Sequence, residues 1–298
     1  MKIFDCFMYF DEDLVLELRL NYLSKFVDYF VIVESKFNHK GEQKELKFNL
    51  KNFKKFQNKI IYISLDQNPD GIEKINESDD KITKSHKYIF NSIKRENYQR
   101  NQIIKGLENA DKNDWIIVSD IDEIPDLKKI ELEKIKNKLV FFKQNMMYYK
   151  FNLKYEDFVW VGSKACKKKD LISPQWLRNI KGKKYSWWRI DSYFSKQKHT
   201  NIKFIEEGGW HFSYIKTPDL IEKKLKSYLH HREYDLNPIG VEGIKKMIEN
   251  KRAIYNLKHD QRSINKIGSG EKLTKIDLAS LPEYITLNKE KFDEWLEN

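Results

Sequence analysis

Apolar positions in the first half of the chain fall in dense runs separated by polar stretches. "KIFDCFMYF" (2 to 10), "YFVIVE" (29 to 34), "KIIYISL" (59 to 65) and "WIIVS" (115 to 119) are such runs. Runs without polar alternation predict strands covered on both faces, as in a parallel sheet. Behind Asp11, which reads as a helix cap, Val15, Leu18, Tyr22 and Phe26 recur at helical spacing. "NPDG" at 68 to 71 predicts a turn. A long polar helix is expected over 86 to 109, with Ile89, Ile93, Ile103, Ile104 and Leu107 as its apolar stripe. The order strand, helix, strand, helix, strand, helix, strand implies a doubly wound α/β sheet that binds ligands at the carboxyl ends of its strands.

After Pro125 the pattern loosens. "LVFFKQNMMYYKFNL" (139 to 153) predicts one or two strands and "GGWHFSY" (208 to 214) a short one. Helices are expected at 218 to 231, 238 to 256 and 288 to 296. No repeat or low-complexity linker divides the chain. A single domain is expected, with 1–125 binding a nucleotide and 126–298 building the acceptor side.

Composition narrows the class. With 298 residues, 40% of them hydrophobic, the chain can bury a core, and wholesale disorder is excluded. Aromatics reach 14%, including seven tryptophans, and their flat faces suit both a core and a sugar or base pocket. Cys6 and Cys166 form no CxxC pair, so neither a disulfide framework nor a zinc site is expected, and a reduced compartment follows. No run approaches the roughly 18 apolar residues of a membrane span, and the N-terminus lacks a signal-cleavage pattern. A soluble cytoplasmic protein is expected. The net charge of +11 suits an anionic membrane surface, touched peripherally, or a phosphate-bearing ligand. No nucleic-acid-binding signature accompanies it, so no nucleic acid partner is expected. "KACKKKD" (164 to 170) reads as a solvated loop.

One stretch carries chemistry. "WIIVSDIDEIP" (115 to 125) sets Asp120, Asp122 and Glu123 behind a buried-type run and closes with a proline. Side chains two apart on an extended segment point the same way, so Asp120 and Asp122 can share a ligand. Magnesium and manganese prefer such oxygen donors and accept phosphates and water for the rest. The other reading is an acidic turn in which Asp126 caps the next helix.

"SDIDEIP" resembles the DxDEIP signature of glycosyltransferase family 17. Four further segments are similar to that family in the same order: "VDYFVIVESKFNHKGEQKELKF" (27 to 48), "RENYQRNQI" (95 to 103), "GGWHFSY" (208 to 214) and "LPEYITLNKEKFDEWL" (281 to 296). The resemblance covers nearly the whole chain. It implies a single-domain GT-A-like fold, a doubly wound mixed sheet flanked by helices. It also implies a UDP-sugar donor, a divalent cation (Mn2+, or Mg2+), and inversion at the anomeric carbon. Known eukaryotic members transfer N-acetylglucosamine to a mannose of an N-glycan. The present chain shows no anchor or luminal stem, so the expected acceptor is a bacterial or viral surface-glycan precursor, glycan or glycolipid.

The remaining candidates follow from residue chemistry and from those motifs. Glu34 and Ser35 end the second strand, where a nucleotide would lie, and the alternative for Glu34 is a solvent-facing strand end. Arg95 and Arg100 offer guanidinium forks for a diphosphate, but five positions apart they lie about 140° apart on a helix, so at least one is expected to be structural. His211, after Gly208 and Gly209, is a candidate third metal ligand beside Asp120 and Asp122; the glycines permit close backbone approach to a ligand. His230 is a weaker candidate for the diphosphate. Trp160, Trp176, Trp187, Trp188 and Trp210 are mostly expected in the core, with one or two in an acceptor groove.

An inverting transfer needs a carboxylate base across the sugar from the diphosphate. Glu123, Asp191, Glu206 and Glu207 are the candidates outside the metal pair, with Glu207 preferred. Two other functions use the same residues: a metal-dependent nucleotidyltransferase, and a glycan-binding module without turnover.

Overall fold

The computed structural model describes residues 1–185, 195, 198–229, 231–257 and 267–298, and Trp187, Trp188, Asp191 and His230 lie outside them. Its strands are β1 (Ile3–Tyr9), β2 (Tyr29–Ser35), β3 (Ile60–Leu65), β4 (Trp115–Asp120), β5 (Glu123–Pro125), β6 (Leu139–Tyr148), β7 (Leu153–Lys167), β8 (Ile202–Ile205), β9 (Gly209–Ser213) and β10 (Leu273–Lys275). Its helices are α1 (Asp13–Leu23), α2 (Lys81–Asn101), α3 (Pro174–Asn179), α4 (Pro218–Ser227), α5 (His231–Leu236), α6 (Gly240–Glu249), α7 (Glu283–Leu287) and α8 (Lys289–Phe292).

All ten strands join one curled, mixed sheet in the order β3-β2-β1-β4-β7-β6-β9-β5, with β8 beside β6 and β10 beside β7. The four apolar runs are its parallel half, β3-β2-β1-β4. The central residues of β1, β2 and β4 (Cys6, Phe7, Val31, Ile32, Ile116, Ile117) are fully buried, as two covered faces require. By contrast β3, at the sheet edge, is only half-buried over residues 60–63 and is not covered on both faces. β7 then runs antiparallel to β4 and β6, and turns the sheet into its mixed half.

Several local expectations change. α1 begins at Asp13, and no side chain caps it; Glu12 instead bends back to accept from the Phe10 and Asp11 amides. The β2–β3 crossover contains a 3-10 turn over Leu50–Phe56 rather than an α-helix. α2 starts five residues before the expected 86, because Asp80 accepts from the Ile82 and Thr83 amides and caps it there. Its apolar stripe divides: Ile103 and Leu107 are buried, whereas Ile89, Ile93 and Ile104 face outward.

"KACKKKD" is not a loop at its start. Lys164, Ala165 and Cys166 are buried in β7, paired with Val118, Ile117 and Ile116. A fifteen-residue strand passing through the centre of a sheet buries whatever side chains alternate inward, lysine included. No helix among the described residues is long and apolar enough to cross a membrane.

Candidate active site

The carboxyl ends of β1, β2 and β4 open onto a cleft of about 810 Å³, walled on the far side by β9, α3, α4 and α5. A buried arginine shapes its floor. Arg19 on α1 is held at two points by Asp5 and donates through Nη1 to the carbonyls of Asp120 (3.1 Å), Ile121 (3.0 Å) and Glu123 (2.7 Å). A single guanidinium thereby ties down the turn that presents Asp120 and Asp122.

The second motif reaches this turn through the sheet. β5 pairs antiparallel with β9, setting Glu123 opposite His211 and Pro125 opposite Gly209. Gly209 has φ +129°, and a Cβ there would lie 2.1 Å from the Ile124 carbonyl oxygen. The glycine therefore serves a close approach between two strands rather than between backbone and ligand. His211 Nε2 lies 3.5 Å from Asp122 Oδ1, and Lys224 Nζ of α4 lies 3.4 Å from Oδ2. Burial alone would raise the Asp122 carboxyl, but Lys224 and His211 outweigh it and hold it well below the usual carboxylate range. The same contact acts in reverse on His211: burial disfavours the imidazolium, yet Asp122 raises its pKa above the ordinary value.

Asp120 has different partners. Arg100 donates to Oδ1 and Arg178 to Oδ2, each at 2.9 Å. Burial opposes ionisation of Asp120, yet the two guanidiniums bring its pKa down to about 2. Arg178 comes from α3, whose start is set by Ser173 capping the Trp176 amide and Pro174 in the first turn. It also grips Glu123, through Nη1 at 2.7 Å and Nη2 at 2.9 Å, while Trp160 Nε1 donates to Glu123 at 2.6 Å.

The candidates therefore separate. Ser35, Arg100, Asp120, Asp122, His211 and Trp160 line the cleft. Glu123 does not, because its carboxylate is fully buried and occupied by Arg178, Trp160 and the Asp120 amide. A base role for Glu123 is thus excluded by access. Glu207 is 80% exposed on the turn between β8 and β9, faces Lys129, and is absent from the cleft wall. Glu206 likewise faces Lys143 outside the cleft. Glu34 is buried and clamps the loop after β2, accepting from Lys44, the Lys47 and Phe48 amides and Tyr62. Arg95 donates to Asn68 and to the carbonyls of His39 and Lys40, again holding a loop. Trp210 is buried against Tyr22 and donates to the Ser280 carbonyl.

Sequence reasoning missed Arg19, Arg178 and Lys224. All three are basic residues in unremarkable helical stretches, and only their tertiary partners distinguish them from a solvated face. Glu12, Glu96 and Glu233 were also missed and line the cleft. Beyond the charged cluster, Tyr148, Tyr214, Tyr228 and Tyr255 form an aromatic end, where the Tyr228 and Tyr255 hydroxyls meet.

Could these residues hold a divalent cation? Asp120 accepts one hydrogen bond on each oxygen, so a cation there would share its carboxylate with Arg100 and Arg178. Asp122 and His211 fit: an oxygen and a nitrogen donor face each other at the cleft wall, and the His211 Nδ1 atom is buried without a hydrogen-bond partner. Among the described residues no group of three or more such side chains converges on one point. Two protein ligands with phosphate and water is the usual arrangement for a small hard cation.

The family model of glycosyltransferase family 17 matches residues 1–297. No curated protein compared with the chain matches it.

Proposed function

The chain belongs to glycosyltransferase family 17, and on that premise we propose that the cleft takes a UDP-sugar with a divalent cation. Its sugar, N-acetylglucosamine, passes with inversion to a hydroxyl of a glycan or glycolipid acceptor. One observation carries the reading. Around the DxD turn, the carboxylates of Asp11, Glu12, Glu96, Asp120, Asp122 and Glu123 are set against four permanent cations, Arg100, Arg178, Lys216 and Lys224, and against His211, which carries charge only when protonated. Six carboxylates thus face four permanent cations, an excess of two negative charges with His211 neutral, at the strand ends where the fold binds ligands. A bare diphosphate would be repelled there; a divalent cation supplies the missing charge.

Asp122 and His211 would hold that cation, which as a Lewis acid withdraws charge from a departing diphosphate. Asp120 keeps Arg100 and Arg178 in place at the cleft wall. The nucleoside lies against Ser35 and the loop of Phe37, Asn38 and His39 beyond β2. The sugar and acceptor lie toward the tyrosine end, where aromatic faces meet sugar C–H bonds. The base for the acceptor hydroxyl is Glu233 on α5. Glu233 lines the cleft at its aromatic end, beside Tyr228 and Tyr255.

A panel of UDP-sugars and nucleoside triphosphates with manganese, read by release of UDP or pyrophosphate, tests this. UDP release from UDP-N-acetylglucosamine, abolished by a chelator, is expected. Turnover of nucleoside triphosphates alone would replace the reading with nucleotidyl transfer.

A further inference from the structure

The Lys224 ammonium sits between two carboxylates, 3.4 Å from Asp122 Oδ2 and 3.6 Å from Glu12 Oε1. Both contacts are long, since a charge-assisted N–H···O bond closes to about 2.7–2.9 Å. By contrast, the guanidiniums of Arg100 and Arg178 hold their carboxylates at 2.7–2.9 Å. Lys224 is a point charge on a flexible stem, 23% exposed at the cleft wall, with its ammonium 5.6 Å from the centre of the Tyr214 ring. Its helix does not depend on those contacts, because Ile221 and Leu225 anchor α4 in the core. The ammonium can therefore move while the backbone stays.

We propose that Lys224 is an exchangeable counter-ion. It neutralises Asp122 before metal binds, yields that carboxylate to an arriving divalent cation, and then donates to the diphosphate of the donor. Glu12 remains beside it in both positions. The inference rests on the metal-and-nucleotide reading above and adds to it a residue whose charge opposes metal binding and favours nucleotide binding.

Those opposed signs make the test. Manganese binding is measured by electron paramagnetic resonance of the free aquo ion, and UDP binding by calorimetry, on the full chain and on Lys224→Met and Lys224→Gln. Removing a unit charge next to Asp122 should tighten binding of manganese alone by about tenfold. In saturating manganese the same variants should bind UDP about tenfold more weakly, having lost a charge-assisted donor. A damaged fold would weaken both, so it cannot imitate this result, and the glutamine variant retains a neutral donor toward Asp122 should methionine prove unstable. Manganese affinity that is unchanged or lower in both variants overturns the exchange, as does undiminished UDP affinity. Wild-type protein that binds no UDP with manganese overturns the donor reading as well. Wild-type binding of both, with variants behaving alike, overturns the role of Lys224 alone.

Discussion

Arg19 and Asp5 form a two-point ion pair, 2.7 and 2.6 Å, with neither side chain exposed to water. The remaining nitrogen of Arg19 holds the turn that carries Asp120 and Asp122. Arg19→Met would leave a buried carboxylate unpaired and take a donor from three carbonyls, of which Glu123 keeps Ser163 Oγ, so a loss of about 3–5 kcal/mol is expected in urea unfolding. Arg19→Met with Asp5→Leu should recover part of it. A single-variant loss below about 1 kcal/mol would mean the turn is held by other contacts.

Glu123 is expected to matter for stability and not for proton transfer. Arg178→Met should destabilise the protein by about 3–5 kcal/mol, because it strands Glu123 in the core. Adding Glu123→Gln should restore a substantial share. If Glu123→Gln instead kept the melting temperature and cut kcat by about 10²-fold or more, a base role would return.

The two aspartates of the motif should differ. Melting curves with manganese, UDP and both should show a joint shift larger than the two single shifts summed, since each ligand completes the other's site. Asp122→Asn should abolish that excess, and Asp122→Ala should abolish turnover with the fold intact. Asp120→Asn should keep the excess. An excess surviving Asp122→Asn would place the cation elsewhere.

Glu233→Gln should lower kcat by about 10²–10⁴-fold at an unchanged melting temperature, the usual range for losing a general base. Normal kcat with saturating acceptor would remove Glu233 from the mechanism.

Lys164 gives the fold a pH dependence. Its ammonium donates to the Arg178 and Ile180 carbonyls at 2.5 and 2.6 Å, and burial, then Arg178, bring its pKa from 10.5 down to about 7. Below that pH both folded and unfolded chains hold the proton, and the cost of burying the charge is present in full. As pH rises from about 7 toward 10.5, the folded protein releases a proton that the unfolded chain retains, so stability increases. Unfolding free energy relative to Lys164→Met should therefore climb between about pH 7 and 9. A flat difference would mean that Lys164 stays charged.

The sequence by itself determined the strands of the parallel half, because a strand covered on both faces must be apolar almost throughout; that reason holds for β1, β2 and β4, while β3 is an equally apolar run on the half-buried edge. It also located the DxD turn and the Gly-Trp-His segment, through their resemblance to motifs of the family. What it left open were roles that depend on a partner distant in the chain. Glu123 and Asp122 are adjacent carboxylates in sequence, yet one meets Arg178 in the core and the other faces Lys224 and His211 at the cleft. Arg95 and Arg100 lie on one helix, and only the second reaches Asp120. Local pattern reports whether a side chain is apolar and which way its neighbours point. Whether a charge is a structural tie or a site residue depends on which opposite charge the sheet brings beside it, and only the tertiary fold decides that.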